Sequence, residues 1–158
     1  MGLTRRQALV TIAGLVGVST ARGQSPFLTA AEKGFLEALV DTIIPRTDTP
    51  GAIDAGVPTY IDRRLAADPK LGAAFRAGLV ALEASSESRF GSPFPSLSPV
   101  RRIELLTPLE KDPFVRMVKG MTVDGYYTSQ EGLVQDLGWH GNTFLTEFKG
   151  CTHPEHQA

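Results

Sequence analysis

The fold is decided by residues 29–65, TAAEKGFLEALVDTIIPRTDTPGAIDAGVPTYIDRRL, which predict a helix, a rigid turn and a second helix. Thr29 and Glu32 form the S/T-x-x-E pattern, in which two side chains satisfy free backbone amides of a first helical turn. Pro45 ends this helix, because the residue before a proline avoids helical backbone angles. Between these positions apolar residues recur at helical spacing, at Leu36, Leu39, Val40, Ile43 and Ile44.

The turn between the two helices, residues 46–56, is rich in residues that favour bends. Pro50 presets its own backbone angle, Gly51 and Gly56 tolerate angles closed to other residues, and Asp54 has a side chain that bonds nearby amides. The residues that follow predict an amphipathic helix, with Tyr60, Ile61 and Leu65 on its apolar face and Asp62, Arg63 and Arg64 on the other.

Three later helices, over residues 69–88, 99–106 and 113–124, are each predicted from a capping residue followed by a proline. Proline suits the first helical position because its backbone angle is already helical and it has no amide that needs a partner. The capping pairs are Asp68-Pro69, Ser98-Pro99 and Asp112-Pro113.

Two expectations about packing follow from the patterns inside these helices. Val100, Ile103 and Leu106 recur at helical spacing and are expected to face the core. The small side chains of the first of the three helices are expected to pack closely against a neighbouring helix; they are Ala73, Ala74, Ala77, Ala81 and Ala84.

The fold class predicted from these patterns is all-α, an irregular bundle of about five to six short-to-medium helices. Its connectors are rich in proline and glycine, as in GSPFPSLSP over residues 91–99. Ser129 is placed to cap a short helical turn over Glu131–Asp136, and the segment beyond it is expected to be loop-like. No run of alternating apolar residues long enough for a sheet occurs in the sequence.

Length and charge exclude several classes of protein. A chain of 158 residues fits one domain, and 16 basic against 17 acidic residues leave a net charge of −1. That balance gives no argument for binding to nucleic acid or to an anionic membrane surface. The single cysteine, Cys151, excludes an internal disulfide and leaves a free thiol, a metal ligand or half of an intermolecular bridge.

The N-terminus carries an export pattern. Arg5 and Arg6 in TRRQAL precede an apolar run over residues 8–18 and the small residues 19–21, which predicts a twin-arginine signal, a periplasmic location and the twin-arginine translocase as a partner. Two alternatives stay open, an uncleaved anchor and an apolar helix of the mature domain. The predicted division of the chain is a signal or anchor over 1–24, a helical domain over 25–149 and a tail over 150–158.

The tail holds the candidate metal ligands Cys151, His153 and His156, with His140 or Glu155 as a fourth donor. A thiolate and imidazoles suit zinc or copper. Two other interpretations stay open: the tail docks into a partner near its redox centre, or it is a polar, exposed end. No CxxCH, GxGxxG, GxxxxGK[ST] or GxSxG motif occurs, so covalent haem, dinucleotide, nucleotide and serine-hydrolase sites are not supported.

An aromatic and glycine-rich stretch near residues 125–142 is the candidate partner-docking surface. Tyrosine and tryptophan favour interfaces because they bury a large rigid area and keep a polar group. The alternative is that these rings close the end of the helical core. The candidate docking residues are Tyr126, Tyr127, Trp139, His140 and Asn142.

The segments DTIIP, TPGAIDAGV and YIDRRLA resemble the gluconate 2-dehydrogenase subunit 3 family, and the likeness extends over residues 27–141. The resemblance implies a small exported helical subunit without catalytic residues, which accompanies a large GMC-type flavoprotein dehydrogenase acting on a sugar or alcohol. FAD is then expected in that partner and no cofactor in this chain, and a cytochrome c subunit is a further partner. The expected role is to support folding, stability and twin-arginine co-export of the catalytic subunit. The alternative function is a stand-alone periplasmic metal-binding module built on the tail.

Overall fold

The structure, a computed structural model, describes residues 26–141. Two 3-10 turns, Phe94–Ser96 and Thr107–Leu109, and a π-helix at Glu131–Asp136 join or follow the main helices. The described range has no strand, so the predicted all-α irregular bundle is confirmed. Among residues 26–141, no helix has the length and apolar character needed to span a bilayer. The main helices are α1 (Ala30–Ile43), α2 (Val57–Ala67), α3 (Pro69–Phe90), α4 (Pro99–Leu106) and α5 (Pro113–Tyr127).

The predicted helix starts are confirmed where a carboxylate or threonine supplies the cap. The Glu32 amide donates to Thr29 Oγ1 at 3.2 Å and the Thr29 amide donates to Glu32 Oε2 at 2.8 Å. Asp68 Oδ1 accepts from two first-turn amides of α3 and Asp112 Oδ1 from two of α5, at 2.9–3.2 Å. Ser98 differs, because its hydroxyl makes no capping hydrogen bond to α4.

The core lies where α1, α2, α3 and α5 meet. The apolar stripe of α1 packs inward as predicted, and Phe35 of α1 stacks on Phe94 of the first 3-10 turn with ring centres 5.0 Å apart. Burial of this apolar surface is the main stabilising contribution to such a domain. The large core side chains that are essentially inaccessible to water are Leu36, Leu39, Val40, Val57, Ile61, Leu65, Phe75, Phe94, Val118 and Tyr126.

The predicted inward face of α4 is confirmed at Leu106 and wrong at Val100 and Ile103. Val100 is 74% exposed and Ile103 is 55% exposed, whereas Leu105 and Leu106 are buried. The helix is rotated because Arg102 is drawn against the first 3-10 turn, where its guanidinium donates to the Pro95 carbonyl at 2.7 Å. Residues at i, i+3 and i+4 share one helical face, so Arg102, Leu105 and Leu106 face inward together and Val100 and Ile103 face water.

The expected close packing of the α3 alanines is also wrong. Ala73, Ala74, Ala77, Ala81 and Ala84 are all exposed. The close approaches to α3 are instead made at its glycines: a Cβ on Gly72 would overlap the ring of Phe27, and a Cβ on Gly78 would overlap the ring of Phe114. The aromatic rings that come nearest to α3 need more room than alanine leaves, and glycine supplies it.

Candidate functional site

The turn after α1 is closed by its own backbone. The Ala52 amide donates to the Ile44 carbonyl at 2.9 Å, and the Val57 amide donates to the Ala52 carbonyl at 3.1 Å. Gly51 lies so close to the preceding chain that an added Cβ would lie 2.6 Å from the Arg46 nitrogen. The turn is therefore a compact, internally bonded unit.

Asp54 is the polar centre of this turn. Its carboxylate accepts from the Gly51 amide at 2.9 Å and pairs with the Arg46 guanidinium. Hydrogen bonding from Arg46, followed by that from the Gly51 amide, lowers the pKa of Asp54 below its ordinary value. The carboxylate therefore acts as a structural tie within the turn.

Tyr126 joins the turn to the end of α5. Its side chain is buried, with the residue 1% exposed, and its hydroxyl donates to the Pro50 carbonyl at 2.7 Å. Burial raises the pKa of Tyr126, so the hydroxyl keeps the proton that this bond requires. The bond spans 76 residues of sequence, and it fixes the C-terminal end of the bundle to the turn.

Two glycines allow close packing on either side of Tyr126. Gly125 lies against the ring of Tyr60, and Gly132 lies against the Tyr126 backbone, where an added Cβ would overlap the carbonyl. The Ser129 hydroxyl donates to the Tyr126 carbonyl at 2.6 Å and accepts from the Gly132 amide at 3.0 Å. The predicted Ser129 cap is thus present, and the turn it opens is a π-helix.

Apolar side chains remain exposed at the C-terminal end of the bundle. Val123 and Tyr127 are one helical turn apart on α5, and the Trp139 amide donates to the Leu133 carbonyl at 3.0 Å just beyond the π-helix. Trp139 is 44% exposed and Tyr127 is 38% exposed. We call this set the C-terminal aromatic surface; it consists of Val123, Tyr127, Leu137 and Trp139.

The predicted docking residues therefore separate into two groups. Tyr126 is buried inside this chain and holds the turn, as the alternative interpretation for these rings expects. Tyr127, Trp139 and His140 are exposed, and their role in docking stays a prediction. Asn142 lies outside the described residues, as do Arg5, Arg6, Cys151, His153 and His156 of the export and metal predictions.

The part of the chain between residues 26 and 141 brings no three of its histidine, aspartate and glutamate side chains together as metal ligands. Metal binding by the tail stays a prediction. The carboxylate of Asp62 accepts from the Leu28 amide at 2.8 Å, rather than pairing with the arginines beside it. The Arg64 guanidinium instead donates a hydrogen bond to the Tyr60 hydroxyl at 2.8 Å. The same guanidinium nitrogen lies 3.6 Å from a carboxylate oxygen of Asp124.

One cluster that sequence reasoning missed holds the chain just before α1. Arg76 donates to Glu32 at 2.8 Å and to the Phe27 carbonyl at 2.8 Å, and its guanidinium lies 4.1 Å above the Phe27 ring. We call Phe27, Glu32, Asp62 and Arg76 the N-terminal clasp. The capping pattern identified Glu32, but Arg76 lies 44 residues further on and carried no local sign of this contact.

The clasp also perturbs the titration of its carboxylate. Burial of Glu32 would by itself raise its pKa, but the hydrogen bonds from the Thr29 amide and from Arg76 outweigh that effect and hold the pKa below its ordinary value. Glu32 therefore serves at once as the helix cap and as the anion that binds Arg76.

Comparison with known proteins gives one match. The model of the family described as gluconate 2-dehydrogenase subunit 3 matches residues 30–144. That range begins at α1 and includes the turn, Tyr126 and the C-terminal aromatic surface. Neither a curated protein nor a solved structure matches the chain.

Proposed function

The chain belongs to the gluconate 2-dehydrogenase subunit 3 family, and from that premise we propose that it is the non-catalytic small subunit of a FAD-dependent, GMC-type sugar or alcohol dehydrogenase. In this proposal the large flavoprotein binds FAD and performs the oxidation, and a cytochrome c subunit accepts the electrons. The small subunit supports the folding, stability and export of the large one. The family match is the observation that carries the proposal.

The C-terminal aromatic surface is the proposed contact for the flavoprotein. Exposed aromatic rings on a rigid support favour association, because little side-chain freedom is lost when they are covered. Trp139 and Tyr127 extend from a corner that Tyr126, Gly132 and Ser129 hold in place. His140 follows Trp139 directly and adds an exposed polar side chain at the same end.

Four aspartates of the described chain have structural roles. Each of these carboxylates accepts a hydrogen bond from a backbone amide. Asp54 closes the turn, Asp62 holds the chain before α1, and Asp68 and Asp112 cap α3 and α5. General acid–base chemistry instead needs a carboxylate directed at a substrate position. The roles that these four aspartates have are those expected of a structural subunit.

The export part of the proposal rests on Arg5 and Arg6 ahead of the apolar run over residues 8–18. A twin-arginine signal on the small subunit would carry a flavoprotein that is already folded and loaded with FAD. The complex would then act in the periplasm, either free or held at the membrane by an uncleaved signal.

Co-purification tests the proposed complex. A tagged full-length chain, purified from its native membranes, is expected to retain a GMC-type flavoprotein with its bound FAD. Trp139→Ala is expected to lower the retained fraction about tenfold, as for a residue at the centre of an interface. Val100→Ala is the control, since Val100 is an apolar residue of α4 that is 74% exposed and does not belong to the C-terminal aromatic surface. A tagged chain that retains no flavoprotein would refute the complex.

Cell fractionation tests co-export separately. Changing Arg5 and Arg6 together to lysine is expected to leave both subunits in the cytoplasm while the complex still forms. A flavoprotein that reaches the periplasm with this double variant would contradict the export role and leave the complex intact.

A further inference from the structure

The C-terminal aromatic surface belongs to a stretch of the chain whose charged side chains have one sign. Residues 120–141 contain three carboxylates, Asp124, Glu131 and Asp136, and neither lysine nor arginine. The whole chain is almost balanced, with 16 basic and 17 acidic residues. The stretch therefore places a local excess of negative charge around apolar side chains that are exposed.

Two of the carboxylates lie directly beside apolar members of that surface. Asp124 follows Val123 on α5 and precedes Tyr127 by three residues, a spacing that puts side chains on one helical face. Asp136 ends the π-helix and is followed by Leu137, which is 60% exposed. The negative charge therefore borders the surface.

The third carboxylate, Glu131 at the start of the π-helix, acts on the same corner of the bundle as Asp136. Burial is the main cause of the raised pKa of Tyr126, and the negative charges of Asp136 and Glu131 add to it. Among residues 26–141, neither of these two carboxylates forms an ion pair. Both can therefore pair with a partner.

Arg64 of α2 is the basic side chain that reaches the edge of this surface from within the described chain. Its guanidinium lies 3.6 Å from the Asp124 carboxylate, and the two side chains are 49% and 59% exposed. An exposed pair at this distance contributes little. Arg64 therefore offsets at most one of the three carboxylates and leaves the two on the π-helix unbalanced.

The backbone holds Trp139 in a defined position beside these charges. The Leu137 amide donates to the Gly132 carbonyl at 3.1 Å. The Gly138 amide donates to the Val134 carbonyl, also at 3.1 Å, and Gly138 supplies the left-handed φ of 65° that this ending requires. The exposed indole is therefore presented by a bonded end of the π-helix, so covering it costs little conformational freedom.

We propose that the C-terminal aromatic surface binds a patch of the flavoprotein in which arginine side chains flank an apolar centre. This inference rests on the proposed function and adds the chemistry of the partner surface. A guanidinium can stack on the exposed aromatic rings and pair with the carboxylates of the π-helix, because it is planar, weakly hydrated and always charged. Opposite charges on the two partners also speed their association and make it sensitive to salt.

Fluorescence quenching tests the charge of the surface in the isolated full-length chain. Trp139 is the only tryptophan of the sequence, so its emission reports on this surface alone. Quenching by caesium and by iodide is measured at constant ionic strength, each relative to free N-acetyltryptophanamide. Negative charge attracts caesium and repels iodide, so a caesium-to-iodide ratio above one is expected. A ratio of one or less would overturn the inference.

Asp136→Lys is the variant that tests the source of this charge, and Glu110→Lys is its charge-matched control. Both side chains are exposed. Glu110 precedes α5, whose 15 residues separate it from the aromatic surface by about 22 Å. Asp136→Lys is expected to lower the caesium-to-iodide ratio about twofold and the control to leave it unchanged. Equal effects of the two changes would overturn the inference.

Association kinetics test the partner surface, using the flavoprotein recovered from the complex. The association rate constant, measured by surface plasmon resonance, is expected to fall about tenfold from low to high salt. At low salt Asp136→Lys is expected to slow association about three- to tenfold, whereas Glu110→Lys leaves it unchanged. Arginines of the flavoprotein are expected to lose reactivity toward phenylglyoxal in the complex. Association that ignores salt, or a complex that protects no arginine, would overturn the inference.

These outcomes separate the inference from the proposed function. A flavoprotein that is retained, and lost with Trp139→Ala, but associates independently of salt would leave the complex standing and remove only the arginine patch. A chain that retains no flavoprotein would remove both the complex and the patch.

Discussion

The turn beneath Tyr126 and the outer face of α3 use their residues in opposite ways. In the turn, the Pro50 carbonyl, the Gly51 amide and the Asp54 carboxylate all have partners within the chain. On α3, Ala77 and Val80 leave apolar surface in water. The polar backbone groups of a turn need hydrogen-bond partners, and here they find them within the same chain. The side chains of Ala77 and Val80 have no polar group that needs a partner, so this face can remain in contact with water.

The largest effect that this comparison predicts is at Gly51. Gly51→Ala places a methyl group against the Arg46 backbone, which cannot move without opening the turn. Overpacking of this kind costs about 2–3 kcal/mol, and the melting temperature is expected to fall by roughly 5–10 °C.

Gly120→Ala is the matched control for Gly51. A Cβ on Gly120 would meet nothing within 4 Å, and alanine favours helix, so this change is expected to stabilise α5 by about 0.5–1 kcal/mol. If both variants melt at the wild-type temperature, the turn is not the closed unit described above.

A smaller effect is expected at the hydroxyl of Tyr126. Tyr126→Phe keeps the buried ring but leaves the Pro50 carbonyl without its donor, at a cost of about 1–2 kcal/mol in the free energy of unfolding. Denaturant unfolding measures this. Tyr127→Phe, at a half-exposed ring, is expected to cost almost nothing, and equal costs at the two positions would show that the bond does not hold the turn.

The stability of the folded chain is expected to depend on pH through Asp54 and Glu32. Each has a pKa lower in the folded chain than its ordinary value, 3.8 for Asp54 and 4.5 for Glu32. Their contribution to stability is therefore fully present above those ordinary values, and it is lost as the pH falls through the lower, folded-state values. Asp54→Asn is expected to make the melting temperature less sensitive to pH below 3.8. A wild-type slope unchanged in this variant would contradict the tie to Arg46.

The smallest effect is expected on the outer face of α3. Ala77→Gln adds an exposed side chain to a helix and is expected to change the free energy of unfolding by less than about 0.5 kcal/mol. Thermal melting checks this in the isolated chain. A loss as large as that of Gly51→Ala would mean that α3 packs against something in solution, and the contrast between the two regions would disappear.

Local chemistry made the helix starts predictable. Thr29, Asp68 and Asp112 cap the amides two or three residues ahead of them, and such contacts depend on nothing distant. The end before Pro45 has the same origin, since the residue before a proline avoids helical angles. The helix predicted over residues 69–88 instead continues to Phe90, where Gly91 ends it in a left-handed conformation with φ of 64°.

The buried face of a helix was less predictable, because the spacing of apolar residues does not identify the segment against which that face packs. Val100 and Ile103 have the spacing of a core face, yet α4 is rotated by the contact of Arg102 with Pro95. For the same reason, the sequence did not decide whether Tyr126 docks a partner or closes the core. The Tyr126 hydroxyl donates to the Pro50 carbonyl, in a turn far away in the sequence. Each depends on packing between distant segments.

The sequence by itself determined the helical fold class, most helix boundaries, the rigid turn and the likeness to the family, because capping side chains, prolines and apolar spacing act over a few residues. Only the tertiary structure decided that Tyr126 ties the turn, that Arg76 clasps Phe27 and that α3 keeps an apolar face in contact with water. These arrangements join residues tens of positions apart, and which of many chemically suitable partners meet is decided by how the helices pack together.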